Sequence, residues 1–379
     1  MQILRAAKAL TMAPDSPVIE DAAVVHDQGK ILAVAPFSQL AADIPAEVVD
    51  LGEHTIAPGL INAHCHLELS YLWEQTELGK GFLPWVQSLV SQRRDTYEEK
   101  AVEIAAQEMA ATHTAFVGDI ASHFSKDVAR TLDKAGLFYI IFAEAFGFAA
   151  PKEGRSFIPK AADLQSGCLS AAGHALYSTH PDSFKMGKRQ ANALGLPFSM
   201  HLAEHEHELQ ILADGTGDFA EMLRGAGVLK GFTPPAMRPV PYAKELGLLD
   251  SGTLAVHCVQ VNDEEVQTLA DTKTNVCLCP RSNEFIGVGR APWEKFHEAG
   301  VNLCLGTDSL ASNANLNMWF EAAYLKKQFK GELSMLECVA MLTSNAAQAM
   351  GMAPVLGTLE AGKVARFSIV PQGFIELFD

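Results

Sequence analysis

The chain has 379 residues, and its 29 Lys plus Arg against 45 Asp plus Glu give a net charge of −16. That balance argues against nucleic acid or an anionic membrane as a partner, since both attract a basic footprint. With 48% hydrophobic and 20% charged residues, disorder is excluded and a large core is available.

No segment reaches the ~20 apolar residues that span a bilayer. The most apolar run, 136–150, is short and carries Glu144 in its middle. The stretch Met1 to Pro14 contains Arg5 and Lys8 and no apolar run ending in a small-residue cleavage site, so a cytoplasmic location is expected. Seven cysteines in apolar context suit reduced core thiols better than a disulfide framework. Cys277 and Cys279 share one face of an expected strand, but no second pair completes a cysteine metal site.

In chain order, "AAVVHDQGKILAVAP" and "EVVDLGEHTIAPGLI" read as short strands, the first pair turning at Gln28-Gly29. Eight apolar strand-like runs follow: "GLINAHCH", "TAFVGDIAS", "LFYIIFAEAF", "HALYSTHP", "LPFSMHLAE", "TLAVHCVQ", "NVCLCPRSN" and "NLCLGTDS". Helical patterns such as "EEKAVEIAAQEMAA", "KDVARTLDKAG" and "LECVAMLTSNAAQAMG" lie between or after them. The Pro-rich "GFTPPAMRPVPYAKELG" reads as a lid or surface loop before the sixth strand. The closing "GTLEAGKVARFSIVP" returns to short strands. This alternation predicts an α/β fold: a (β/α)8 TIM-type barrel over 58–351, with a small β-sandwich built from 1–57 and 352–379.

The chemistry sits where the apolar strands end. His64 and His66 flank Cys65, so in a strand both imidazoles face one side. The fifth strand ends in His201 with Glu204 three residues on, the sixth in His257, and the eighth in Asp308 within "GTDS". A lone histidine is usually core and a lone Asp after Gly-Thr a helix cap. The ordered set, each member closing its own strand, is hard to reach by chance. Three imidazoles and a carboxylate suit Zn²⁺ or Fe²⁺ with room left for a water.

With those residues on the page, the sequence resembles the amidohydrolase superfamily, in its mononuclear deaminase branch. The motifs that carry the resemblance are "APGLINAHCH", "HLAEH", "VHC", "CPRSN" and "LGTDS", and they span essentially the whole chain. The terminal "GTLEAGKVARFSIV" fits as well, although Arg366 stands where the family commonly has Asp. The resemblance implies one divalent metal ion per chain, zinc first and iron as the alternative, held by His64, His66, His201 and Asp308. Binuclear relatives carry a lysine at the end of strand four, and "HALYSTHP" has none. Such a metal lowers the pKa of a bound water toward ~7. Asp308 then accepts the water's proton, His257 stabilises the developing oxyanion, and Glu204 protonates a substrate nitrogen.

Weaker candidates for substrate contact are His180, Glu68, Arg281, Trp85 and Arg155; the resemblance makes His180 a nucleoside contact, and Arg281 or Arg155 the partner of an anionic group. Asn283 reads as a loop-former, and His205 and His207 as the solvated face of a helix. His26, His54, His113, His123, His174 and His297 fit no site geometry.

The implied partner is a small molecule, with neither nucleic acid nor membrane, and homo-oligomerisation is left open. The compact length, "NAHCHLELS" and "CPRSN" are most similar to aminodeoxyfutalosine deaminases of menaquinone biosynthesis. S-adenosylhomocysteine/methylthioadenosine deaminases are the alternative; they place a Glu before the Trp of the next helix, where this chain has Pro84 before Trp85. A ring-opening cyclic amide or imidazolone hydrolase is an alternative of another class. A non-enzymatic assembly barrel is disfavoured, because such chains lose ligands that this one keeps.

Overall fold

The computed structural model describes residues 1–40, 45–152, 154–160 and 163–378. The alternating N-terminal runs pair antiparallel as Gln2–Leu10 (β1), Val18–Asp27 (β2) and Lys30–Pro36 (β3). Positive φ at both Gln28 (45°) and Gly29 (76°) makes the β2–β3 turn one whose twist matches its strands. Glu47–Asp50 (β4) and Thr55–Pro58 (β5) run parallel to β1.

Eight parallel strands then follow in sequential order: Leu60–Cys65 (β6), Thr114–Ala121 (β7), Phe138–Ala145 (β8), Gly167–Gly173 (β9), Phe198–Leu202 (β10), Thr253–His257 (β11), Asn275–Leu278 (β12) and Leu303–Leu305 (β13). The C-terminal Phe367–Ile369 (β14) returns to pair antiparallel with β5, so both ends of the chain share the small sheet. Among the described residues, no helix is long and apolar enough to cross a membrane.

Between β13 and β6 the barrel is joined by side chains. Asn62 Nδ2 donates to Thr307 Oγ1 (2.7 Å), Asn62 Oδ1 accepts the Thr307 N–H (3.1 Å), and the Asp308 N–H donates to the His64 carbonyl (3.0 Å). Gly306 permits this approach: a Cβ there would lie 2.7 Å from the His64 carbonyl oxygen and 2.8 Å from its Cβ. The "LGTDS" motif is thus a packing requirement as well as a source of chemistry.

The expected helices form at Glu99–Ala111 and Ser125–Ala135, and the third breaks at Thr343 into Met335–Leu342 and Ser344–Ala349. The fourth strand needs correction. It is "GCLSAAG", not "HALYSTHP", which instead forms the connection after the strand. This moves His174 to the strand's end and leaves His180 as the N-cap of Pro181–Ala193, its Nδ1 accepting the Asp182 N–H. The corrected strand carries no lysine either.

Candidate active site

His64, His66, His201, His257 and Asp308 converge at the C-terminal end of the barrel. His64 is central, with ring centroids 4.9 Å from His66, 5.0 Å from His201 and 5.8 Å from His257. The strand ends bend to achieve this: Ala203, His257 and Asp308 take φ of 51°, 72° and 58°, left-handed values that L-residues adopt at a cost. Backbone bonds hold them there, from Gln260 N–H to the Ala203 carbonyl and from Cys258 N–H to the Leu202 carbonyl.

The donor set fits a metal ion. His64 is fully buried, yet neither of its ring nitrogens has a hydrogen-bond partner among the described residues. A buried polar group without a hydrogen bond is costly, and a cation removes the cost. His201 Nδ1 lies 3.3 Å from the His174 carbonyl, which only accepts, so the ring hydrogen sits on Nδ1 and Nε2 offers a lone pair. That Nε2 faces His66 Nε2 at 3.2 Å. Asp308 Oδ2 accepts from Ser282 (2.6 Å) and Ser312 (3.0 Å), which turns Oδ1 toward His64 and His66, 3.7 Å from each Nε2. Burial opposes ionisation of Asp308, yet the surrounding imidazoles hold its carboxyl well below the usual range. Burial pushes His66 down to about 3 and His201 well below its ordinary value, so both rings are neutral at physiological pH.

Beside the donors stand the groups suited to proton transfer. Glu204 is buried, with Oε1 3.6 Å from His257 Nε2, and burial together with the Asp308 charge raises its carboxyl well above the ordinary range. His257 Nδ1 donates to Asn283 Oδ1 at 3.0 Å, which leaves Nε2 facing Glu204. Asn283, expected as a loop-former, therefore orients an imidazole at the site.

Two further groups were not expected here. His174 lies with its ring 5.1 Å from His201. Glu144, at the end of β8, accepts from Ser122 Oγ (2.6 Å) and places Oε1 3.9 Å from His201 Nδ1; burial lifts it to about 7. The Cys279 thiol also lies within 4.8 Å of donor nitrogens of His64 and His257. All seven cysteines are free.

The weaker candidates are placed differently. Glu68 accepts backbone N–H groups of Ser122, His123 and Phe124, and so pins the loop after β7. Trp85 is buried in the helix Phe82–Ser91 and donates Nε1–H to the Ala311 carbonyl (2.8 Å), bracing the segment after Asp308. Arg155 is exposed, its guanidinium over the Phe157 ring at 4.7 Å. His205 corrects the solvated-helix expectation: it is buried, stacks on Phe82 at 3.6 Å and meets the Tyr177 hydroxyl through Nε2.

Arg281 lies in the helix Pro280–Ile286 and donates to Asn315 (3.0 Å) and to the buried Glu321 (3.4 Å). Glu321 in turn holds Asn313, which donates to the Thr307 carbonyl. Arg281→Met leaves that carboxylate unpaired and should destabilise the fold by about 3 kcal/mol. Thermal denaturation measures this; an unchanged Tm with a raised KM would instead place Arg281 on the substrate.

Glu208 supplies a pH-dependent test. It is buried in the helix Glu206–Asp214, accepts the Glu204 N–H at 3.0 Å, and burial raises it from 4.5 to about 8. The folded state therefore holds a proton that the unfolded chain releases. Its contribution is full below pH 4.5 and is lost as pH rises toward about 8. Glu208→Gln keeps the acceptor and removes the titration, so the fall in Tm between pH 5 and pH 8 should be shallower in the variant. Parallel Tm profiles would refute the assignment.

A family model described as the amidohydrolase family matches residues 55–377. The chain belongs to the amidohydrolase family. This amidohydrolase is 30% identical over 382 residues to the 5-methylthioadenosine/S-adenosylhomocysteine deaminase of Moorella thermoacetica, covering 96% of this chain and 84% of that protein. Among solved structures it is similar to Helicobacter pylori aminofutalosine deaminase in complex with methylthio-coformycin, with a TM-score of 0.86, 21% identity, and 99% and 95% of the two chains covered. A zinc-bound adenosine deaminase from Xanthomonas campestris gives a TM-score of 0.82 at 23% identity, with 99% and 86% covered. At these identities the two structures establish a shared fold. Like its family, the chain is a hydrolase acting on carbon–nitrogen bonds.

Proposed function

We propose that this amidohydrolase is a metal-dependent deaminase of an adenine-type nucleoside, with His64, His66, His201 and Asp308 holding one divalent ion. The observation that carries the reading is Glu204, a buried carboxyl 3.6 Å from His257 and beside the donor set, where burial and the Asp308 charge favour its protonated form. An acid so placed suits an amidine ring, whose ring nitrogen takes up a proton as water adds to the neighbouring carbon. A bound ion supplies the Lewis acidity that makes water nucleophilic at neutral pH. Glu204 protonates the ring nitrogen next to the carbon under attack. Asp308 Oδ1 takes a proton from the attacking water and passes it to the departing amine, and the proton left on the added oxygen returns to Glu204 and restores the acid. His257, oriented by Asn283, hydrogen-bonds the oxygen that adds to that carbon. His174, its ring 5.1 Å from that of His201, is a proposed nucleoside contact alongside His180.

Aminodeoxyfutalosine is the proposed natural substrate, which places the enzyme in menaquinone biosynthesis. The reading is supported by the "NAHCHLELS" and "CPRSN" segments and by the fold shared with the aminofutalosine deaminase at a TM-score of 0.86. Arg281, which is also held by Glu321, or Arg155 is the proposed cation for the substrate's carboxylate. The second reading, methylthioadenosine/S-adenosylhomocysteine deamination, is favoured by the name of that 30%-identical relative. Ammonia release from aminodeoxyfutalosine, adenosine, methylthioadenosine and S-adenosylhomocysteine tests both. The highest kcat/KM should fall on aminodeoxyfutalosine. Equal or better turnover of S-adenosylhomocysteine rejects the pathway assignment, and opening of a cyclic amide without ammonia release rejects the deaminase itself.

A further inference from the structure

Phe146 is a large aromatic side chain left 56% exposed, one residue beyond the end of β8. Its ring stands 5.2 Å from that of His174 at an interplanar angle of 63°, and His174 stands 5.1 Å from His201. Phe146 therefore lies two ring contacts out from the donor set. The extended period of two also puts it on the side of Glu144, whose carboxyl faces His201.

The position is rigid. The Ala145 carbonyl accepts the His174 N–H (3.1 Å) and the Thr179 hydroxyl (2.9 Å). The Gly147 N–H donates to the Ser178 carbonyl (2.7 Å), and the Gly147 carbonyl accepts the His180 N–H (3.0 Å). Gly147 makes this zipper at φ +96°, a conformation that suits glycine. Nearby rings continue the surface, with Phe148 5.0 Å from Phe232 and 6.4 Å from His180. Phe82 and Trp85, by contrast, are buried in packing against His205 and the Ala311 carbonyl.

We infer that Phe146, braced by His174, is the shelf that receives the substituent carried beyond the ribose, and that it selects a planar apolar ring there. The inference rests on the deaminase reading and deepens it. A fixed, half-exposed ring face loses water favourably to another aromatic ring and gains edge or stacking contact, whereas a thin aliphatic tail covers less of it.

The test compares kcat/KM for aminodeoxyfutalosine and adenosine in the zinc-loaded wild type, Phe146→Ala and Phe146→Tyr. In Phe146→Ala the ratio of the two should fall about tenfold, chiefly through a raised KM for the aryl nucleoside. Phe146→Tyr, which keeps the ring, should restore most of it. An unchanged ratio in Phe146→Ala overturns the inference and leaves the deaminase reading intact. Equal losses on both substrates also overturn it, assigning Phe146 to the support of His174. Absence of ammonia from every adenine nucleoside with the wild type overturns both.

Discussion

Glu204→Gln is expected to lower turnover by ~10²–10⁴ while metal content stays unchanged. Glutamine keeps the shape of the side chain, which lies 3.6 Å from His257, and cannot carry a proton between water and a ring nitrogen. The backbone N–H of residue 204 still donates to Glu208, so the local turn is preserved. Steady-state ammonia release and elemental analysis of the same preparation separate the two effects. Loss of metal along with activity would move Glu204 into the ligand set and displace the acid assigned here.

Removal of the metal should have the larger effect, taking ammonia release to background. One equivalent of zinc per chain should restore it. Because the donors belong to the folded state alone, rebinding should also raise Tm. Saturation at a hundred times Kd is worth about 2.7 kcal/mol. Titration followed by both activity and differential scanning calorimetry checks this. A requirement for two equivalents would contradict the single-ion reading, which draws on a strand four without lysine.

The donor residues were legible because each closes an apolar strand: a polar group in that position has nothing to gain from the core and points instead into the common crevice. His174 was missed for a local reason. Its strand, "GCLSAAG", is built from small residues with weak strand preference, while the following "HALYST" carries the aromatic and hydroxyl residues that read as a strand. Shifting the strand by one element exchanged His174 for His180. Glu144 was visible as a lone charge within an apolar run, but the sequence could show only that the run does not cross a membrane. Its neighbours Ser122 and His201 come from the loop after β7 and from β10.

Partnerships of this kind decided the remaining differences. Asn283 meets His257, and Ser282 and Ser312 meet Asp308, through folding alone. Arg281 was expected at the mouth because it follows a strand, yet Pro280 starts a helix there and Glu321 captures the guanidinium. The "EHEHE" pattern suggested a wet helix face. His205 is instead the N-cap, with Nδ1 accepting the Glu208 N–H and its ring flat on Phe82.

The seam between β6 and β13 has a consequence for the order of events during synthesis. His64 leaves the ribosome early, whereas Gly306, Thr307 and Asp308 emerge only after all eight barrel strands have been made. Until the last strand docks through Asn62 and Thr307, His64 of β6 and His66 just beyond it lack Asp308 opposite them. On the proposed metal reading, an ion met by the growing chain would find only a fragment of its site and would exchange away. Secure capture would then belong to the finished barrel, and retention of an ion would record that the two ends of the sheet have met.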